Sequence, residues 1–441
     1  MARLRRNDSH IGQNYVNQYD EGHDIDKISK LPRNLIDDIL KRMTIKEVAR
    51  MSVLSQKWNQ IWSTHPFLVL DRWFHEEIDY QNRSSSSVTF DFKNIINKIL
   101  LQHSGSIVKF VLDVSGVGSD WDLHHWLRYV SNNGLKELKI ENSIQSTYTL
   151  PYFLFNSGEL SHLDITNCAF KMPLASTSFQ NLVRLDLRLI SFDPILVYTK
   201  LEAPLLSIMV LTYCDGLQYL NISAPRLRGL HIVDSHYVDL IVLKAYPNLK
   251  TLTIVTCDKI EQYEFWRRFT LTDIICSFPK LIGLDFNSPF FKFVVPHVIP
   301  KRLEATLENL QLLNLGLCFA DEAQISAVIC LLQSAPRLHT LKIEEELANV
   351  EQSDMDAVRE YLSTPNCVEE DLMALRKIKL DGFVNTTNER FFMKLMLAHC
   401  PSLVEVALTP ATSIDEREIS LFYLEVLQFP QASPNVNILL E

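Results

Sequence analysis

The sequence predicts an α/β fold in which a small three-helix unit precedes a curved solenoid with a parallel sheet on its concave face. Two observations predict this fold. A short apolar pattern recurs twelve times along most of the chain, and helical apolar spacing marks a segment before it. Repeats of roughly 20 to 50 residues are typical of solenoids, in which each repeat contacts only its neighbours. Solenoids present long surfaces, so the pattern favours binding over catalysis.

The bulk composition excludes several classes of function. The chain has 441 residues, of which 47% are hydrophobic and 22% charged, and its formal net charge is −10. This acidic balance argues against a nucleic-acid partner, which needs a basic face. The sequence has no apolar stretch of membrane-spanning length and no C-x-x-C pair of the kind that holds zinc. We expect reduced thiols, no metal, no cofactor, no membrane partner, and a location in the nucleus and/or cytoplasm.

The first element is a polar tail over residues 1–24, which we expect to be disordered. A three-helix unit is predicted over residues 25–75. Apolar residues from Leu35 to Met43 recur at helical spacing, and Pro32 precedes them where a first helical turn tolerates proline. Three short helices bury little surface, so the unit should depend on a partner or on a neighbouring domain.

The second and third helices of this unit have their own start signals. Thr44 and Glu47 have the T-x-x-E spacing of a capping box. Ser55 is placed to cap a third helix, in which Trp58 and Trp62 share one face.

These residues resemble an F-box. The match consists of Leu31-Pro32, Ile39-Leu40, the run VLSQKW that begins at Val53, and Ile61-Trp62. The resemblance implies docking on a Skp-type adaptor, which connects to a cullin-RING ubiquitin ligase. Thr44 departs from the family, whose plant members commonly have proline there, and this departure could weaken adaptor binding.

The resemblance implies a set of adaptor-binding residues. They are Leu31, Pro32, Ile36, Ile39, Leu40, Leu54, Trp58 and Trp62. Some of them must instead hold the three helices together, and Trp58 is the first candidate for that internal role. The alternative is that the three helices only cap the end of the solenoid.

A linker is expected over residues 76–95, and the solenoid over residues 96–371. The repeated pattern is L-x-x-L-x-apolar, and its copies start at Ile107, Leu135, Leu160, Leu182, Leu205, Leu227, Leu249, Leu281, Leu310, Leu338, Leu375 and Leu403. The two-residue period of a strand places positions +3 and +5 in the core and positions +2, +4 and +6 on the open face. This pattern resembles the leucine-rich repeat family.

Three cysteines recur at position +8 of their copies. Cys168, Cys257 and Cys318 each follow the first leucine of a copy by eight residues. Cysteine is small and apolar with a weak donor, so these thiols are interpreted as turn fillers and not as redox or metal groups.

The spacing between copies predicts two kinds of return segment. Steps of 22 to 23 residues between Leu160 and Leu249 leave room only for extended returns. Later, longer steps leave room for helices, which apolar spacing predicts over residues 322–333 and 388–399. Residues 372–441, with Gly382-Phe383 at a turn, resemble the FBD segment of many plant F-box proteins.

The predicted open face changes character along the solenoid. Its first and last copies carry mixed charges, whereas the copies between Ser207 and Val255 carry an apolar strip. An apolar strip flanked by charge is typical of a protein-binding face, although a covering loop would give the same pattern. The residues predicted to bind a target are Met209, Leu211, His231 and Val233.

Two functional hypotheses follow. No phosphate-binding loop, nucleophile elbow or zinc-protease motif is found in the sequence, so we expect no catalytic residue and no enzyme activity in this chain. The first hypothesis is the substrate-recognition subunit of an SCF (Skp-cullin-F-box) ubiquitin ligase, which delivers an unknown target. The alternative is a leucine-rich repeat interaction scaffold without a link to a ligase, and a small-molecule co-receptor is a weaker variant.

Overall fold

The structure is a computed structural model. The residues that it describes are 28, 31–82, 92–114, 120–142, 148–169, 177–192, 200–216, 222–235, 246–256, 270–296, 299–303, 306–346, 352–364 and 367–441. The predicted disordered tail, residues 1–24, and Cys257 lie outside them. The chain forms two compact units, residues 1–63 and residues 64–441.

Helices occur in both units. In the described residues they are α1 Arg33–Leu40, α2 Ile45–Met51, α3 Gln56–Ser63, α4 Arg72–Asn82, α5 Phe92–Gln102, α6 Asp120–Ser131, α7 Leu271–Ser277, α8 Ser288–Val294, α9 Glu322–Ser334, α10 Gln352–Ser363, α11 Thr387–His399 and α12 Glu416–Gln428. The first three form the N-terminal unit, as the apolar spacing predicts.

Strands belong to the second unit. They are β1 Phe67–Leu70, β2 Lys109–Asp113, β3 Glu137–Glu141, β4 Tyr148–Thr149, β5 His162–Thr166, β6 Cys168–Ala169, β7 Thr177–Ser178, β8 Arg184–Arg188, β9 Leu201–Glu202, β10 Ile208–Thr212, β11 Ile222–Ser223, β12 Gly229–Val233, β13 Thr251–Val255, β14 Gly283–Phe286, β15 Leu312–Leu317, β16 Thr340–Glu345, β17 Lys377–Phe383, β18 Glu405–Pro410 and β19 Asn437–Leu440.

The capping box that the sequence predicts for α2 is present. The Thr44 hydroxyl accepts a hydrogen bond from the Glu47 backbone N–H at 3.3 Å, and the Glu47 carboxylate accepts one from the Thr44 N–H at 2.8 Å. Ser55 caps α3 in the same manner, because its hydroxyl accepts from the Trp58 N–H at 3.2 Å. These contacts satisfy backbone donors that the first turn of a helix leaves unpaired.

One parallel sheet of fourteen strands organises the second unit. Its order is β1-β2-β3-β5-β8-β10-β12-β13-β14-β15-β16-β17-β18-β19, so each long strand pairs with the next one along the chain. The twelve predicted copies form its inner strands. β1 and β19 add one strand at each edge, which the repeat pattern did not predict because neither segment contains L-x-x-L-x-apolar. The predicted α/β class with a large parallel sheet is confirmed.

The core lies under the sheet, at positions 0, +3 and +5. In the copy that starts at Leu182, for example, Leu182, Leu185 and Leu187 are fully buried. Neighbouring copies align in register, so that Leu185 stands beside Leu163 of the preceding strand. Each such side chain contributes about 1.5–3 kcal/mol through burial, which fixes the register of every strand.

One copy starts a residue later than its sequence pattern predicts. Met209 and Leu211, expected on the open face, are only 2% and 3% exposed. Met209 is aligned with the core residue Leu230 of the next strand. The copy therefore begins at Leu206 and not at Leu205, and a shift of one residue exchanges the two faces of a strand. The prediction that Met209 and Leu211 face outward is wrong.

The returns between strands follow the predicted two styles. In the middle of the solenoid, β7, β9 and β11 form a second, three-stranded parallel sheet of two-residue strands. Towards the C-terminus the returns are helical, and α9 and α11 occupy the two predicted ranges to within a residue at each end. The axes of packed helices lie about 8–10 Å apart, whereas neighbouring strands of a sheet lie about 4.8 Å apart. This difference favours curvature with the sheet on the inner side.

The boundary between the units differs from the predicted one. The sequence places β1 within the three-helix unit over residues 25–75, but β1 pairs with β2 of the solenoid. The expected linker over residues 76–95 contains the end of α4 and the start of α5. Its central residues, 83–91, lie outside the described part of the chain.

Candidate interaction surfaces

Helix α1 has two apolar faces. Ile36 and Leu40 are 2% and 1% exposed, whereas Leu35 and Ile39 are 45% and 44% exposed. Residues four apart lie on the same side of a helix, so each pair forms one face. The first face is buried, and the second is exposed and available to a partner.

The turn between α2 and α3 is the second exposed apolar place in this unit. Val53 is 85% exposed and Leu54 67%. Pro32, ahead of α1, is also exposed, and Leu31 is partly exposed. Apolar side chains gathered on a small domain in this manner are typical of an interaction surface.

The eight residues predicted to bind an adaptor therefore divide into two groups. Those at or near the surface are Leu31, Pro32, Ile39 and Leu54. Those that are buried are Ile36, Leu40, Trp58 and Trp62. The internal role expected of Trp58 fits its 6% exposure, and Leu35 and Val53 are exposed apolar residues that the sequence reasoning left out.

The solenoid presents the second surface, the open face of the sheet at positions +2, +4 and +6. Its apolar part, here called the central strip, consists of Ile208, Val210, His231, Val233 and Val255 on β10, β12 and β13. All five side chains are partly exposed. The predicted residues His231 and Val233 belong to the strip.

Ile208 and Val210 take the places predicted for Met209 and Leu211. The sequence contains a signal that would have found them. Cys214 follows Leu206 by eight residues, which is the spacing of the other recurring cysteines. A start at Leu206 would have placed Val210 on the open face.

Two of the cysteines at position +8, Cys168 and Cys214, have the properties of structural residues. Cys168 and Cys214 are buried, and the Cys214 thiol donates to the Leu187 carbonyl oxygen of the preceding copy at 3.4 Å. Burial raises the pKa of Cys168 to about 12 and that of Cys214 to about 11. Thiols of such high pKa are poor nucleophiles and poor metal ligands at neutral pH. Cys318 is only partly buried.

His231 is held in place within the central strip. Its Nδ1 lies 3.0 Å from the Thr253 hydroxyl on the next strand. Burial lowers the pKa of His231, and the nearby Arg184 guanidinium adds to the effect. The imidazole is therefore neutral at neutral pH, which keeps the strip without formal charge.

The row of +2 positions, which includes Ile208 of the strip, contains two glycines. Ile208, Gly229, Thr251, Gly283 and Leu312 stand next to each other on consecutive strands. At about 4.8 Å per strand the row spans about 19 Å. Both glycines are buried, and a Cβ at Gly229 would lie 3.1 Å from the Thr251 hydroxyl, so the Thr251 side chain fills the space beside this glycine.

Both ends of the open face carry ion pairs between or along strands. These are Lys109–Glu137 (3.2 Å), Lys139–Glu141 (2.5 Å) and Arg184–Asp186 (2.6 Å) at the N-terminal end, and Lys342–Asp381 (3.1 Å), Lys377–Glu405 (2.5 Å) and Lys379–Glu441 (2.7 Å) at the C-terminal end. The predicted pattern of an apolar strip flanked by charge is thus present in the structure, one residue away from its predicted position on β10.

The described residues lack two other kinds of functional feature. They contain no group of three or more His, Cys, Asp or Glu side chains arranged to hold a metal ion. None of the described helices combines the length and the apolar character that crossing a membrane requires.

Comparison with known families identifies an F-box near the start of the chain and leucine-rich repeats after it. The F-box domain matches residues 28–70. A family described as "FBD-associated F-box protein At5g56370, LRR repeats" matches residues 123–343, which is half of the chain. The chain belongs to the FBD-associated F-box proteins with leucine-rich repeats. The F-box match extends over α1 to β1 and so crosses from the first compact unit into the second.

Several relatives of this F-box/leucine-rich repeat chain match it over nearly their whole length. The F-box/FBD/LRR-repeat protein At1g13570 of Arabidopsis thaliana is 28% identical over 429 residues, covering 95% of this chain and 99% of that protein. The putative F-box protein At3g58860 of the same plant is 25% identical, covering 92% and 93% respectively. The probable FBD-associated F-box protein At1g32375 is 22% identical, covering 90% and 97%.

Proposed function

We propose that the chain is the substrate-recognition subunit of an SCF-type ubiquitin ligase. The three-helix unit binds a Skp-type adaptor, and the solenoid binds a target protein. The observation that carries this proposal is the pairing, in one chain, of an F-box with exposed apolar residues and a long sheet face with an apolar strip. F-box domains generally bind Skp-type adaptors.

In this role the chain contributes proximity and orientation. Transfer of ubiquitin takes place on other subunits, and holding a target near them raises the effective concentration of the reacting groups. The chain itself then needs no catalytic residue.

The exposed residues of the F-box supply the first test. Ile39→Asp with Leu54→Asp places two charges on side chains that are 44% and 67% exposed, so folding is retained while apolar contacts with a partner are lost. We expect at least about a tenfold weaker affinity for a Skp-type adaptor in co-purification and calorimetry, because apolar anchors dominate such interfaces.

The matched control is Leu312→Asp, which alters a side chain of 51% exposure on the solenoid. It should leave adaptor binding unchanged. Failure of the unaltered chain to bind any Skp-type adaptor would overturn the proposal. The complementary variant, Val210→Asp with Val233→Asp, should retain the adaptor and lose bound target proteins.

A further inference from the structure

The N-terminal end of the open face contains a cleft that the apolar strip does not reach. Its volume is about 900 Å³, within the range of roughly 300–1,000 Å³ typical of binding pockets. The first residues of α4 form one wall, and the open faces of β2, β3, β5 and β8 form the floor.

Trp73 stands on the α4 wall and is 78% exposed. The helix that carries it is fixed on both sides of this residue. The Asp71 carboxylate accepts from the Phe74 backbone N–H at 3.1 Å, and the Phe74 ring lies 5.9 Å from the Phe92 ring of α5. A large indole exposed on an anchored helix is an unusual feature for a free surface and a common one in binding hot spots.

Negative side chains outnumber positive ones among the residues that line the cleft. The lining contains six carboxylates and four cations. Three cations belong to the ion pairs already described at this end of the sheet, and the fourth, Arg72, pairs with Glu76 at 2.7 Å. The two carboxylates left over are Asp71, which caps α4, and Asp164 on β5.

The negative charge of the Asp164 carboxylate is only partly balanced by neighbouring cations. Its nearest cation is Lys139, at 3.9 Å, and the same ammonium lies 2.5 Å from Glu141. The Asp164 Oδ1 is buried and has no hydrogen-bond partner. Burial raises the pKa of Asp164 in spite of Lys139. The Asp164 side chain as a whole is still 25% exposed, so a cation brought into the cleft can approach a carboxylate that Lys139 balances only in part.

We propose that this cleft binds a basic segment of the target protein, with a Lys or Arg side chain against the Trp73 ring and the Asp164 carboxylate. Aromatic faces attract such cations, and the excess of carboxylates attracts them over distance. The inference rests on the proposed target-binding role of the solenoid, and it names the chemistry of the segment that the target presents.

Binding of fluorescein-labelled peptides to the full chain, followed by anisotropy without adaptor, tests this proposal. The probes are alternating Gly-Arg, Gly-Gln and Gly-Glu peptides of equal length. We expect the Gly-Arg peptide to bind at least about tenfold more tightly than the other two. Trp73→Ala and Asp164→Asn should each weaken it about three- to tenfold.

The matched control is Glu308→Gln, which removes one charge from an exposed position outside the cleft and should change nothing. Equal affinity for the Gly-Arg and Gly-Gln peptides would overturn the proposal. So would tight Gly-Arg binding that neither cleft variant weakens, because the cations would then bind elsewhere. Adaptor binding is measured separately, so failure here leaves the proposed ligase role standing.

Discussion

At the scale of single residues, the buried carboxyl groups of Glu345 and Glu389 are hydrogen-bonded to each other near the C-terminal end of the solenoid. Glu389 is fully buried and accepts from the Val384 backbone N–H at 2.9 Å. Burial, and then a hydrogen bond with Glu389, raises the pKa of Glu345 from 4.5 to about 11. Glu345 is therefore protonated at neutral pH and acts as a donor to Glu389.

This pair makes stability depend on pH. Unfolded Glu345 loses its proton above about pH 4.5, whereas folded Glu345 keeps it beyond neutral pH, so the free energy of unfolding falls as pH rises from about 4.5. Glu345→Gln keeps a neutral donor and removes this dependence. Urea unfolding at pH 5 and pH 9 should show a smaller loss for the variant. The exposed neighbour Glu344→Gln serves as the control, and an equal loss in both variants would contradict the assignment.

At the scale of elements, the strand β10 shows what a one-residue shift changes. Met209→Ala removes a side chain that is 2% exposed and should lower the free energy of unfolding by about 2–5 kcal/mol. Val210→Ala, on the open face, should change it by about 0.5 kcal/mol or less. Chemical denaturation measures both. A larger loss of stability in Val210→Ala than in Met209→Ala would instead indicate that this copy starts at Leu205.

The start of α2 is a second element with a measurable contribution. Thr44→Ala removes the hydroxyl that accepts from the Glu47 N–H, and we expect a loss of about 0.5–2 kcal/mol in the stability of the three-helix unit. Amide hydrogen exchange in α2 measures this loss. Thr44→Ser keeps the acceptor and should retain stability. An equal loss in Thr44→Ser would show that the hydroxyl is not what stabilises the helix.

At the scale of the whole molecule, the repeat pattern was enough to predict the fold. Apolar positions 0, +3 and +5 are set by burial, and burial follows a local period that a sequence displays. The edge strand β1 was missed because its four residues show no such period, and Leu205 was mistaken for Leu206 because two leucines adjoin there. A single residue decides which side chains reach a partner, so the fold was easier to predict than the surface.

The candidate sites were harder to predict because they depend on neighbours from different copies. Trp73 lies outside every repeat, and only the pairing of β1 with β2 places its helix beside the sheet. Asp164 lacks a full counter-charge because the Lys139 ammonium of the adjacent strand lies closer to Glu141 than to Asp164. Distances between strands decide both features, and they do not appear in a one-dimensional pattern.

The alternation of charged ends and an apolar centre has a consequence for ionic strength. Salt screens exposed charges over about 8–10 Å at physiological concentration, so it loosens contacts at the two ends of the open face. Strongly hydrated salts such as sulfate favour apolar burial, so they strengthen contacts at the central strip. As the salt concentration rises, a long target that lies across all three regions would detach at its two ends and stay bound at the central strip. The order in which its parts detach as salt rises would report where on the sheet each part had been held.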